Sequence, residues 1–191
     1  MPAYLEILSV AFSFLYLFFA IKQNALAWIF GIIASLLAIR LFYDNNNWGS
    51  IILNGVYVLQ GIFGFLQWRF FEKNRSSNYY TPINYHLIFI FFTLLSGTCI
   101  IVLFPSYLPT ISNKIDVYLA IGSVLATFLE IRKDISCWYY WITLNLGFTF
   151  LYLYQGLNLY AILMLVLGIF SVWALKEWTR HVPVSGKTSE Q

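Results

Sequence analysis

Charge is what this chain has least of. Of its 191 residues 10% are charged, 11 basic and 8 acidic, against 60% hydrophobic and 20% aromatic. An average soluble domain is about 25% charged. So few charged side chains cannot solvate the surface of a 22.2 kDa globule, which excludes a soluble enzyme and a nucleic-acid-binding domain. The net charge of +3 needs no nucleic acid to explain it. Disorder is excluded as well, because it requires low hydrophobicity and high net charge. Cysteine is nearly absent: Cys99 and Cys137 fall toward opposite ends of their apolar runs, on opposite sides of a membrane, too far apart for a disulfide. His86 and His181 have no further His, Cys or acid to complete a metal set. There is no Ser/His/Asp set and no buried carboxylate pair, so no enzyme chemistry is indicated and no cofactor is implied. Gly186-Lys187-Thr188 resembles the end of a phosphate loop, but His181 stands where that motif needs glycine, and no strand precedes it. Met1 to Glu6 has no basic segment and no cleavage site follows, so the first run reads as a retained helix.

What the chain does have is long apolar runs. A membrane crossing takes about 20 helical residues. The runs are Ile7 to Ile21, Ala25 to Phe42, Trp48 to Phe71, Leu87 to Phe104 and Ile115 to Ile131. Between Asp134 and Lys176 no charge occurs, a stretch that as one helix would span roughly 60 Å, about twice the hydrocarbon thickness. It must fold back, and Gln155-Gly156-Leu157-Asn158 is the turn. Helices from Cys137 to Tyr154 and from Leu159 to Trp178 follow, with a polar tail after His181. Solid runs rather than alternation exclude a β-barrel. The fold class is an all-α integral membrane protein of seven transmembrane helices. Seven crossings put Arg40 and Lys114 on the N-terminal side and the nine other basic residues opposite. The positive-inside rule then sets the C-terminus in the cytoplasm and the N-terminus outside. Trp28, Trp48, Trp68, Trp138 and Trp178 lie near helix ends and read as interfacial aromatics.

Slid against itself so that Tyr4 meets Lys114, the chain aligns 4–68 with 114–178 without a gap and with 12 identities. The pairs Trp28/Trp138, Trp68/Trp178, Phe18/Phe128, Ile21/Ile131, Lys22/Arg132 and Asn24/Asp134 carry the reading more than the count. This divides the chain into a three-helix repeat over 1–71, a linking helix with its loops over 72–113, a second repeat over 114–180 and a cytoplasmic tail over 181–191. One linking helix between odd repeats makes them parallel, a 3+1+3 arrangement. Transporters built this way hold substrate near the midplane between the halves.

Polar groups within a bilayer are costly unless paired or facing water. Trp138, Trp141 and Asn145, spaced by three and four, share one helical face. Two aromatic planes above an amide suit a flat, polar ring, a cationic one included. Asn54, Tyr57 and Gln60 interrupt the third run, and Ser35 is the repeat mate of Asn145. Interhelical hydrogen bonding is the plain alternative for Asn145, helix packing for Ser35 and membrane anchoring for Trp138. Tyr152 and Tyr154 read as belt residues. The acids all fall near helix ends, so no mid-membrane proton relay is indicated, and facilitated diffusion is the simplest mechanism.

The stretch Glu130-Ile-Arg-Lys-Asp-Ile-Ser-Cys-Trp138-Tyr-Tyr-Trp141-Ile-Thr-Leu-Asn145 resembles the PnuC family of bacterial vitamin-precursor transporters, whose marker is Trp-x-x-Trp-x-x-x-Asn or Asp. Leu151-Tyr-Leu-Tyr-Gln-Gly-Leu, Gly168 to Trp173, Trp28-x-x-Gly31 and Gly61 to Trp68 extend the likeness. The resemblance implies a SWEET-like fold in the bacterial inner membrane and a homotrimer with one pathway per subunit. It implies uptake of nicotinamide riboside, with trapping by a cytoplasmic kinase. Related members carry thiamine or riboflavin. Trp138, Trp141 and Asn145 would be the substrate-side motif. The first repeat departs from it, with Gly31 and Ser35 opposite Trp141 and Asn145. A vitamin-binding membrane subunit that needs a separate energising partner is the rival reading.

Overall fold

The computed structural model describes residues 3–43, 48–71 and 79–180. The turn at 44–47, most of the polar loop after residue 71 and the tail at 181–191 lie outside the described residues. Seven α-helices make up nearly all of what is described: α1 Ala3–Ile21, α2 Leu26–Tyr43, α3 Trp48–Leu66, α4 Ile83–Leu103, α5 Ile111–Ile131, α6 Ser136–Tyr154 and α7 Asn158–Arg180. A π-helical turn, Gln67–Phe71, continues α3, and a short 3-10 turn, Pro105–Tyr107, precedes α5. Five of these helices, α1, α2, α3, α4 and α7, are long and apolar enough to cross a membrane by length and composition. In α5 the residues Lys114, Asp116 and Glu130 lower the apolar content, and in α6 its tryptophans, tyrosines and Asn145 do so.

Most helix bounds fall within a few residues of the apolar runs. Helices α1, α4 and α5 each start four residues ahead of their runs, and at α5 the cause is local. The Thr110 hydroxyl accepts from the Asn113 backbone N–H while the Asn113 side chain turns back to the Thr110 N–H, a capping box that starts the helix at Ile111.

The loops α1–α2 and α5–α6 are built alike. Gln23 and Lys133, which the repeat alignment pairs, have φ of 53° and 54°. Each follows a helix whose closing hydrogen bonds match: Asn24 N–H to Phe19 O at 3.0 Å, and Asp134 N–H to Leu129 O at 3.1 Å. This is a left-handed C-terminal cap. The side chains of Asn24 and Asp134 then receive the N–H of Leu26 and Ser136, both two residues on, and so lead the chain into α2 and α6.

The core gathers beneath these two loops. Trp28 meets Trp68 edge to face at 5.3 Å, Trp138 meets Trp178 likewise at 5.2 Å, and Trp68 and Trp178 lie 6.0 Å apart. The N–H of Trp68 donates to Ile131 O at 2.8 Å, and that of Trp178 to Ile21 O at 3.1 Å. Ile131 and Ile21 end α5 and α1, so each indole satisfies a carbonyl that a helix end leaves open. The expectation of interfacial tryptophans is overturned for these four. All are buried, and they join the two groups of helices rather than facing lipid. The side chain of Trp48 lies outside what is described.

Helix α4 stands apart from this core. Gly97 lets it approach α5, since a Cβ there would collide with the Tyr118 ring. At its start Thr81 donates to Asp134 through both N–H and hydroxyl, and His86 bridges Thr81 O and the Tyr140 hydroxyl. Its other faces carry exposed Ile, Leu and Phe. Cys99, exposed on α4, and Cys137, buried, are both free thiols.

Candidate functional site

Six helices enclose a cavity of about 440 Å³, and α4 contributes nothing to its lining. Ligand cavities run from about 300 to 1,000 Å³. One wall is α6, whose Trp138, Trp141 and Asn145 all face the space, with Phe148 and Tyr152 further along. Opposite stand Trp28, Gly31 and Ser35 of α2. Asn54 and Tyr57 reach in from α3. The walls between are hydroxyl-rich: Ser9 and Ser13 of α1, Ser123 and Thr127 of α5, and Ser171 of α7. The four-tryptophan core closes the cavity at the α1–α2 loop end, where Trp28 and Trp138 are both lining and core.

Gln60 alone among the residues singled out from sequence does not line this space. Its amide N–H donates to Val124 O at 2.8 Å and so ties α3 to α5. Asn145 is buried and donates to the Ser171 hydroxyl at 3.3 Å, which fixes its amide against α7. Asn54 bonds back to Ser50 O in its own helix. Tyr152, expected in the membrane belt, lines the cavity instead. The indole N–H groups of the repeat mates Trp28 and Trp138 are buried and have no hydrogen-bond partner. Buried donors are normally satisfied. Both N–H groups are closed off from the cavity surface and belong to the packed tryptophan core.

Glu130 is not among the site residues singled out from sequence, because one residue from the end of a helix it looks solvated. It is 1% exposed and faces the cavity. The Tyr16 hydroxyl donates to its Oε1 at 2.7 Å and the Trp141 indole N–H to its Oε2 at 2.9 Å. A sequence signal did exist. The repeat mate of Glu130 is Ala20, so the second repeat has a carboxylate where the first has a methyl group. Among the described lining residues there is no Lys, Arg or His. Nor do the described residues gather three or more His, Cys, Asp or Glu for a metal ion.

The cavity therefore offers aromatic planes, hydroxyls, an amide and one carboxylate, with no catalytic set among the described lining residues. Comparison with known proteins agrees with that character. A family model described as nicotinamide mononucleotide transporter matches residues 3–180. Among solved structures, a crystal structure of the vitamin B3 transporter PnuC is similar in fold, with a TM-score of 0.73 at 21% identity over 95% of this chain and 83% of that one. No curated protein matches the sequence.

Proposed function

The chain belongs to the nicotinamide mononucleotide transporter family, and from that premise we propose that it mediates facilitated uptake of the unphosphorylated nucleoside, nicotinamide riboside. The observation that carries this reading is a cavity lined by Trp138, Trp141 and Asn145 but by no basic side chain among its described residues. A phosphate dianion brought into that space would meet the Glu130 carboxylate and no cation, at a cost of several kcal/mol. The nucleoside has no such penalty. Its pyridinium can lie against an indole face, its carboxamide can meet Asn145, and its hydroxyls can meet the serine and threonine hydroxyls of the walls. Thiamine, which also carries a ring cation, is the second reading, and Glu130 favours it over the neutral riboflavin.

In this reading the seven helices all cross the membrane. They form two parallel triplets joined by α4 in the SWEET-like manner, with the nine-to-two excess of basic residues on the cytoplasmic side. The resemblance adds a homotrimer in the bacterial inner membrane and a cytoplasmic kinase that keeps the gradient inward by phosphorylating what enters.

Purified protein in empty liposomes tests the proposal. Labelled nicotinamide riboside equilibrates across the bilayer, the mononucleotide does not enter, and enclosing kinase and ATP converts equilibration into accumulation. Trp141→Ala removes an aromatic plane and slows uptake by ~30-fold, the equivalent of about 2 kcal/mol. Asn145→Ala acts in the same direction. Normal uptake by both variants, or uptake of the mononucleotide at the rate of the nucleoside, refutes the assignment.

A further inference from the structure

Glu130 is a buried acid with no cation on it. Its two oxygens each accept one hydrogen bond, from the Tyr16 hydroxyl and the Trp141 indole N–H, and both donors are neutral. A protonated acid could donate to the Tyr16 hydroxyl, which accepts as well as donates, so these contacts suit either form; the ionised form, accepting at both oxygens, is the one a bound cation would stabilise. The arrangement places beside the cavity an acid that no basic side chain among the described lining residues pairs with. An unpaired charge in such a place is costly, and acids within a membrane domain are paired with a partner or serve a transported species.

We infer that Glu130 is the counter-ion of the substrate's ring cation and makes the site select a positively charged ring over a neutral one of the same shape. The inference rests on the reading of the cavity as a nucleoside site and deepens it. The geometry suits the role. Trp141, whose N–H holds the carboxylate, is itself a cavity wall, so a flat cation against that indole has the negative charge at its edge. The ring nitrogen of an N-alkylpyridinium has no proton to give, so the attraction is one of charge and needs no direct hydrogen bond. Because Glu130 is itself buried, the attraction is stronger than between two exposed charges.

The probe is a matched pair: nicotinamide riboside, a cation, and its 1,4-dihydro form, neutral with the same sugar and carboxamide. Equilibrium binding to the full-length wild-type protein favours the cation by at least about tenfold. Glu130→Gln keeps the side chain's size and weakens the cation by at least about tenfold, while the dihydro form changes by less than about threefold. Equal wild-type affinity for the two forms overturns the inference whether or not the variant folds. A variant that loses both forms equally overturns it too, and shows the acid to be only a scaffold for Tyr16 and Trp141. Failure of the wild type to take up nicotinamide riboside in liposomes is a separate result and sinks the proposed function itself.

Discussion

Gly31 has no side chain because the ring of Tyr16 takes the room: a Cβ there would lie 3.0 Å from the ring. Its repeat mate is Trp141, so one half of the protein fills the site with an indole and the other clears space for a phenol that crosses to Glu130. Gly64 is tighter still. A Cβ would come within 2.5 Å of the buried Trp28 indole, which cannot move aside without disturbing Trp68. Gly64→Ala is therefore expected to cost about 1–3 kcal/mol, read as a lower melting temperature of the purified protein. A wild-type melting curve would show that the Trp28 ring has room to shift. At this scale the spacing rule worked for α6, because residues three and four apart share a face whatever surrounds them. It could say nothing of Tyr16 and Glu130, whose contact joins two distant helices, α1 and α5.

Among the elements, α4 is anchored at its start by one acid, beside the contact of His86 with Tyr140. Asp134 turns the chain into α6, and it also receives the N–H and hydroxyl of Thr81 just ahead of α4. Its mate Asn24 makes the corresponding turn into α2. Asn24→Ala should cost about 1 kcal/mol, the worth of a capping contact. Asp134→Ala should cost about 3 kcal/mol, because buried donors are left open as well. Denaturation of the two variants side by side checks the order, and equal losses would mean that α4 is held by its packing on Tyr118 instead. Seven helices were legible in the sequence because a bilayer penalises charge so steeply that gaps between charges mark out the helices. The left-handed caps at Gln23 and Lys133 were not, since neither is the glycine that usually announces one.

Across the whole molecule, the four tryptophans join the halves at one end of the cavity. On the proposed reading, a substrate that left by that end would part Trp68 from Ile131 and Trp178 from Ala20 and Ile21. Trp68→Phe and Trp178→Phe keep an aromatic ring but delete the bond, so each should loosen the closure. Cys137, buried in this core, is the built-in reporter. With Cys99 replaced by serine, its maleimide labelling should speed up severalfold in either variant, and unchanged labelling would show that the seal does not rest on these bonds. Sequence alone read these indoles as interfacial aromatics, Trp138 as a site residue besides, and did not foresee their mutual packing. Proximity to a helix end is shared by a belt and by an internal seal, and only the packing of distant helices separates them.

Duplication leaves a trace in how a passenger must sit. Two identical triplets would present mirror choices, and a molecule between them could turn end for end without penalty. With glutamate at position 130 and alanine at position 20, that freedom is gone. If Glu130 is the counter-ion we infer, the charged end of a bound nucleoside keeps to the second triplet and its sugar to the first, and every molecule passes in one fixed orientation.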